Sequence, residues 1–70
     1  MMPLTFLKAG EQSTIKRILD VNDTKKFLES LGFVVGSTVT VVSKIGDNMI
    51  LNIKDSRIAL DKDMARKIVI

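Results

Sequence analysis

The chain has no cysteine and no histidine. Those two absences exclude a disulfide staple, a thiolate nucleophile, an imidazole base and a zinc site of the usual Cys or His kind. Tryptophan and tyrosine are also missing, and Phe6, Phe27 and Phe33 are the whole aromatic content. Little is therefore left for base stacking or for an aromatic-lined groove that takes proline-rich peptides. No apolar run reaches the roughly 18 residues that a membrane-spanning helix needs. The opening stretch MMPLTFLKAGEQ lacks the basic start and the small-residue cleavage site of a signal peptide. The chain reads as a soluble, intracellular protein with no direct membrane insertion.

What is present bounds the fold. Seventy residues, 46% of them hydrophobic and 27% charged, are too apolar for disorder and too few for a second core. Residues 1–70 read as one domain, with no internal repeat, low-complexity segment or linker. One core of this size leaves about 3 to 5 kcal/mol of net stability. The formal charge of +3 is the balance of 11 basic and 8 acidic residues. These are interleaved: Lys25 and Lys26 are followed by Glu29, and Lys62 lies between Asp61 and Asp63. A nucleic-acid surface needs basic groups gathered on one face. No basic run here exceeds two residues, which fits a mixed, solvated surface.

The stretch FLESLGFVVGSTVTVV, Phe27 to Val42, organises the rest. Phe27, Leu28 and Leu31 share one side of a helix, with Lys25, Lys26, Glu29 and Ser30 on the other. Gly32 stands where a left-handed residue can close the helix. The period then changes to two. Ser37, Val39, Val41 and Ser43 alternate with Thr38, Thr40, Val42 and Lys44 in a β-branched run that predicts a strand. Upstream, Asn22 or Asp23, within Asp20-Val21-Asn22-Asp23, can cap the helix.

Around this centre the remaining elements are short. Pro3 to Leu7 is apolar but brief, and Gly10 marks a turn. Ser13 to Leu19 predicts a strand with a bulge that returns Ile15 and Ile18 to one face. Ile45-Gly46-Asp47-Asn48 is a reversal into Met49 to Lys54, giving an antiparallel hairpin. After a turn at Asp55-Ser56, Arg57 to Leu60 is a further strand. Asp61 can cap a single helical turn over Lys62 to Ala65, and Lys67 to Ile70 closes the chain as a last strand. Five or six short strands, with one helix between the second and third, predict a mainly β protein: a small, partly closed antiparallel barrel.

The ordered set Gly10-Glu11, Leu28-x-x-Leu31-Gly32-Phe33-x-x-Gly36, Gly46-Asp47, Ile58-Ala59-Leu60 with Ala65, and Ile68-Val69-Ile70 resembles the FeoA family over nearly the whole chain. These are small SH3-like barrel proteins of the bacterial ferrous iron uptake system. The resemblance departs at turns. Family members often carry proline where this chain has Val35 and Asn48, glycine near Ser56, and a basic residue where it has Asp61. The resemblance implies a cytoplasmic accessory or regulatory role, exerted by contact with the FeoB-type membrane transporter and its cytosolic GTP-binding part. The same fold occurs as a C-terminal domain of metal-dependent repressors that resemble the diphtheria toxin regulator.

The residues themselves favour a binding module over an enzyme. There is no Gly-rich phosphate loop, no serine with a base and no paired carboxylate in a defined setting. Asp61 and Asp63 could offer hard oxygen ligands to ferrous iron, but capping and first-turn charge also account for them. No cofactor and no metal ligand is assigned. For a protein partner, the helix end and the next turn are the expected contact. Phe33, Val34 and Val35 crowd a short connection in which not all can point inward, and Lys25 and Lys26 could meet an acidic partner. The competing reading has Phe33 and Val35 plugging the barrel end while Val34 alone is exposed. A stand-alone SH3-like metal-binding or nucleic-acid-binding module is the alternative function, and exposed strand edges leave a homo-oligomer open.

Overall fold

The computed structural model describes residues 1–19 and 22–70. A 3-10 turn at Leu4–Phe6 precedes strands β1 (Gln12–Thr14) and β2 (Arg17–Ile18), helix α1 (Asp23–Ser30), and strands β3 (Thr38–Ile45), β4 (Asn48–Ile53) and β5 (Ser56–Asp61). The single-turn helix α2 (Lys62–Ala65) and strand β6 (Ile68–Val69) complete the order. Two antiparallel sheets result. One has four strands in the order β1-β3-β4-β5, and the other pairs β2 with β6.

The predicted strand over Ser13 to Leu19 is two strands in different sheets. Thr14 is opposite Thr38, the Ile15 amide donates to Ser37 O at 2.9 Å, and the Lys16 amide donates to Val69 O at 2.7 Å. The broken alternation therefore marks a change of partner at a barrel corner and not a bulge within one ladder. Ile15 and Ile18 are both buried, because the bend turns each toward the space enclosed by the two sheets. A bulge does occur in β3. The register against β4 shifts between Val41 and Ser43, so the two-residue alternation that buries Val39 and Val41 ends there.

Pro3 to Leu7 forms a 3-10 turn in which Leu7 N–H donates to Leu4 O at 3.0 Å. The three-residue spacing puts Leu4 and Leu7 on the same side, and both are buried. β4 alternates as its sequence predicts, with Met49, Leu51 and Ile53 buried and Ile50 and Asn52 half-buried. The C-terminal Ile68, Val69 and Ile70 are all buried. Met2 and Ile70 exchange amide-to-carbonyl bonds of 3.0 and 2.8 Å, which extends the pairing of β6 beyond β2.

The core is one cluster drawn from every layer. Leu4, Ile15, Leu28, Phe33, Val39, Val41, Leu51, Ile53 and Ile68 are its most completely buried large side chains. Burying one such side chain contributes about 1.5 to 3 kcal/mol. Each is therefore a large share of what a domain of this length retains.

Candidate protein-contact surface

α1 begins at Asn22, whose carbonyl accepts from the amides of Lys25 and Lys26 at 3.1 and 3.4 Å. The cap is made by this main-chain group, and the Asn22 side chain makes no cap bond. Asp20 and Val21, the first half of the predicted capping stretch, lie outside the described residues. Asp23 in the first turn suits the positive end of the helix dipole. Leu28 is buried and Leu31 packs against the core, whereas Phe27 stays 50% exposed. The inward stripe is thus Thr24, Leu28 and Leu31, at spacings of four and three. Phe27, expected on the inward side, lies at the flank of this narrow stripe, one residue and so about 100° from Leu28.

The helix ends in a Schellman arrangement. Gly32 N–H donates to Glu29 O and Phe33 N–H to Leu28 O, each at 3.0 Å, with Gly32 at φ +106°. The hydrophobic contact that accompanies this motif sets Phe33 toward Leu28, and both are fully buried. A tight turn follows directly. Ser37 N–H donates to Val34 O at 3.0 Å, with Gly36 at φ +93° in the third position, the geometry of a type II turn. Gly36 N–H donates to Ile15 O and Ile15 N–H to Ser37 O, both at 2.9 Å, which fastens the turn to the barrel corner.

This geometry separates the five side chains proposed from sequence. Phe33 is fully buried and cannot reach a partner: the Schellman turn directs it into the core. Val34 is half-buried, and Val35, at the turn tip, is 62% exposed. The competing reading, with Val35 as a plug and Val34 alone outside, is likewise not what the turn allows. The second position of a type II turn projects outward, so Val35 is the exposed valine. Lys26 is exposed and Lys25 half-buried, on the helix that leads into the turn. The segment from Lys26 to Val35 thus presents an aromatic ring, a turn-tip valine and a cation on a backbone pinned at both ends. Phe27 was missing from the site as read from sequence, and the narrow Thr24-Leu28-Leu31 stripe is the signal that could have found it.

The other end of the β3–β4 hairpin carries a cleft of about 160 Å³ lined by Thr5, Lys44, Gly46, Asp47, Asn48, Met49 and Lys62. Its charged side chains are engaged within the chain. Lys44 Nζ donates to Thr5 O at 2.8 Å, Lys62 N–H donates to Asp47 O at 2.8 Å, and the Lys62 and Asp47 side chains pair at 3.5 Å. The two neighbouring acids are also engaged. Asp61 Oδ1 accepts from Met64 N–H at 2.9 Å as the cap of α2, and Asp63 pairs with Arg66 at 2.7 Å. No helix among the described residues is long and apolar enough to cross a membrane.

Comparison with known proteins identifies the architecture. A family model described as the FeoA domain matches residues 2–70. A protein of Methanocaldococcus jannaschii provisionally named Fe(2+) transport protein A is 33% identical over 70 residues, covering 100% of this chain and 85% of that protein. The crystal structure of Stenotrophomonas maltophilia FeoA complexed with zinc, described as an SH3 domain protein, has a TM-score of 0.86 at 28% identity, over 99% of this chain and 88% of that one. The solution structure of iron(II) transport protein A from Clostridium thermocellum has a TM-score of 0.91 at 30% identity, over 97% of this chain and 43% of that one. With an SH3-like barrel, a family match from residue 2 to the last residue and relatives named for ferrous iron transport, this chain belongs to the FeoA family.

Proposed function

We propose that the chain is a cytoplasmic accessory protein of ferrous iron uptake that acts by protein contact on a FeoB-type membrane transporter, at its cytosolic GTP-binding part. Family membership supports the pathway. The observation that carries the mode of action is the pinned turn after α1, which holds Val35 62% exposed although the aromatic residue two positions earlier, Phe33, is fully buried. An apolar tip on a backbone tied to the barrel corner is already ordered, so little conformational entropy is lost when a partner covers it. Phe27 widens the apolar area, and Lys26 and Lys25 supply a basic rim for an acidic neighbour.

Titration calorimetry tests this reading. The chain is added to the transporter's isolated cytosolic GTP-binding domain, and in separate runs ferrous ion and a short DNA duplex are added to the chain. Binding to the domain that changes little with salt is expected, and Val35→Asp should weaken it at least tenfold without moving the melting temperature. No heat with that domain, together with stoichiometric iron binding or a steeply salt-dependent affinity for DNA, would replace this function with a metal-binding or nucleic-acid-binding one.

A further inference from the structure

Strand β5 is an unprotected edge. Among the described residues it pairs with β4 alone, at all six positions and without a register shift. Natural edges are blunted by short length, charged side chains (lysine above all), proline or a bulge. The strands β1, β2 and β6 have three, two and two residues, whereas β5, SRIALD, has six, with no lysine, proline or bulge, and its charges Arg57 and Asp61 are of opposite sign.

The directions of its main-chain groups follow from the hairpin. Lys54 and Asp55 form a two-residue connection between Ile53 and Ser56, which are directly opposite. In such a turn the first and fourth residues are hydrogen-bonded, and bonded pairs recur at every second position. Ser56, Ile58 and Leu60 therefore bond to β4. The Lys62 amide, which donates to Asp47 O at 2.8 Å, continues the same parity. The amides and carbonyls of Arg57 and Ala59 and the amide of Asp61 point away from the sheet, while the Asp61 carbonyl serves the first turn of α2. The side chains of these same three residues are exposed, whereas Leu60 is buried and Ile58 packs on the core.

We propose that a second copy of this chain adds to this edge as an antiparallel strand, with Arg57 opposite Asp61 and Ala59 opposite Ala59. This register pairs all three outward-directed residues of each strand, and in it the sequence is complementary to itself. Each Arg57 guanidinium meets an Asp61 carboxylate across the two-fold axis, and the small Ala59 side chains meet at the centre. A slip of two residues either way sets Arg57 or Asp61 against Ala59 and loses both charge pairs. The side-chain bonds already in place leave room for this pairing. Asp61 uses Oδ1 for the α2 cap and keeps Oδ2, while Arg57 uses Nε on Asn52 Oδ1 at 3.3 Å and keeps its terminal nitrogens. The four-stranded sheets of the two copies then become one continuous sheet. A peptide from another protein would have to bring the matching charges, whereas a second copy already carries them.

Sedimentation equilibrium of the full chain over rising concentration tests the assignment. The mass is expected to climb from 7.8 kDa toward twice that value, and the climb should need more protein as salt is raised. Ala59→Pro removes the central outward amide and no bond to β4, so it is expected to leave a folded monomer. Should that variant fail to fold, charge exchange decides. Arg57→Asp and Asp61→Arg each place like charges across the interface and should self-associate roughly tenfold more weakly, while an equimolar mixture of the two restores the dimer. A chain that is monomeric at every concentration, or a dimer indifferent to charge reversal and to mixing, overturns the proposal. So does a monomer that takes up an unrelated extended peptide at β5.

Discussion

The two sheets are built in opposite ways. In the four-stranded sheet, β3, β4 and β5 are consecutive hairpin partners, joined by short turns at Gly46-Asp47 and Lys54-Asp55. In the two-stranded sheet, Arg17 and Ile18 are opposite Val69 and Ile68, from the far end of the chain. Apart from β1, which reaches β3 from the far side of α1, the first is specified by turn chemistry and alternation that act within a few residues. The second forms only when the whole chain has collapsed around Leu4, Ile15, Leu28, Phe33 and Ile68. Local signals thus direct the chain, while apolar closure between distant segments stabilises it.

Truncating the closure should cost most. Phe33→Ala is expected to lose about 3 to 5 kcal/mol and Ile68→Ala about 2 to 5 kcal/mol, enough to leave either variant largely unfolded in a denaturant titration. A loss below about 1 kcal/mol, or separate transitions for the two sheets, would break the contrast between local and distant specification. Among the local signals, Gly32→Ala should cost about 1 to 2 kcal/mol through its positive φ alone. A Cβ there meets Ile53 no closer than 3.5 Å, an ordinary contact. A drop as large as that of Phe33→Ala would show that the space around Gly32, and not its backbone, is limiting. Asp61→Ala should cost about 1 kcal/mol by removing the α2 cap, read as a small fall in the thermal midpoint. No change at all would mean that α2 is held by Ala65 and Met64 in the core and not by its cap.

The same contrast explains what the residues disclosed beforehand. Gly32 closing α1, the β3–β4 reversal, the Asp61 cap and the paired terminus were legible, because each depends on a residue type at a fixed offset. The split of Ser13 to Leu19 between two sheets was not. Ile15 and Ile18 show the loss of alternation, but the cause is Val69, which no local pattern near Ile15 can announce. At the contact surface, the crowding of Phe33, Val34 and Val35 was visible, and the assignment of which one is exposed was not. That depends on the Schellman bonds and on Gly36 taking the third position of a type II turn, two local geometries that act together. Phe27 was misread for a related reason. A helix that rests on a narrow stripe leaves a neighbouring aromatic outside.

The most direct test of the account is a chemical-shift map of the isotope-labelled chain as the cytosolic GTP-binding domain of a FeoB-type transporter is added. The largest changes are expected at Phe27, Val34 and Val35, with Lys25 and Lys26 at the margin and Phe33 moving only as a packed neighbour. Undisturbed resonances in that segment, or changes confined to the cleft around Lys44 and Lys62, would contradict it.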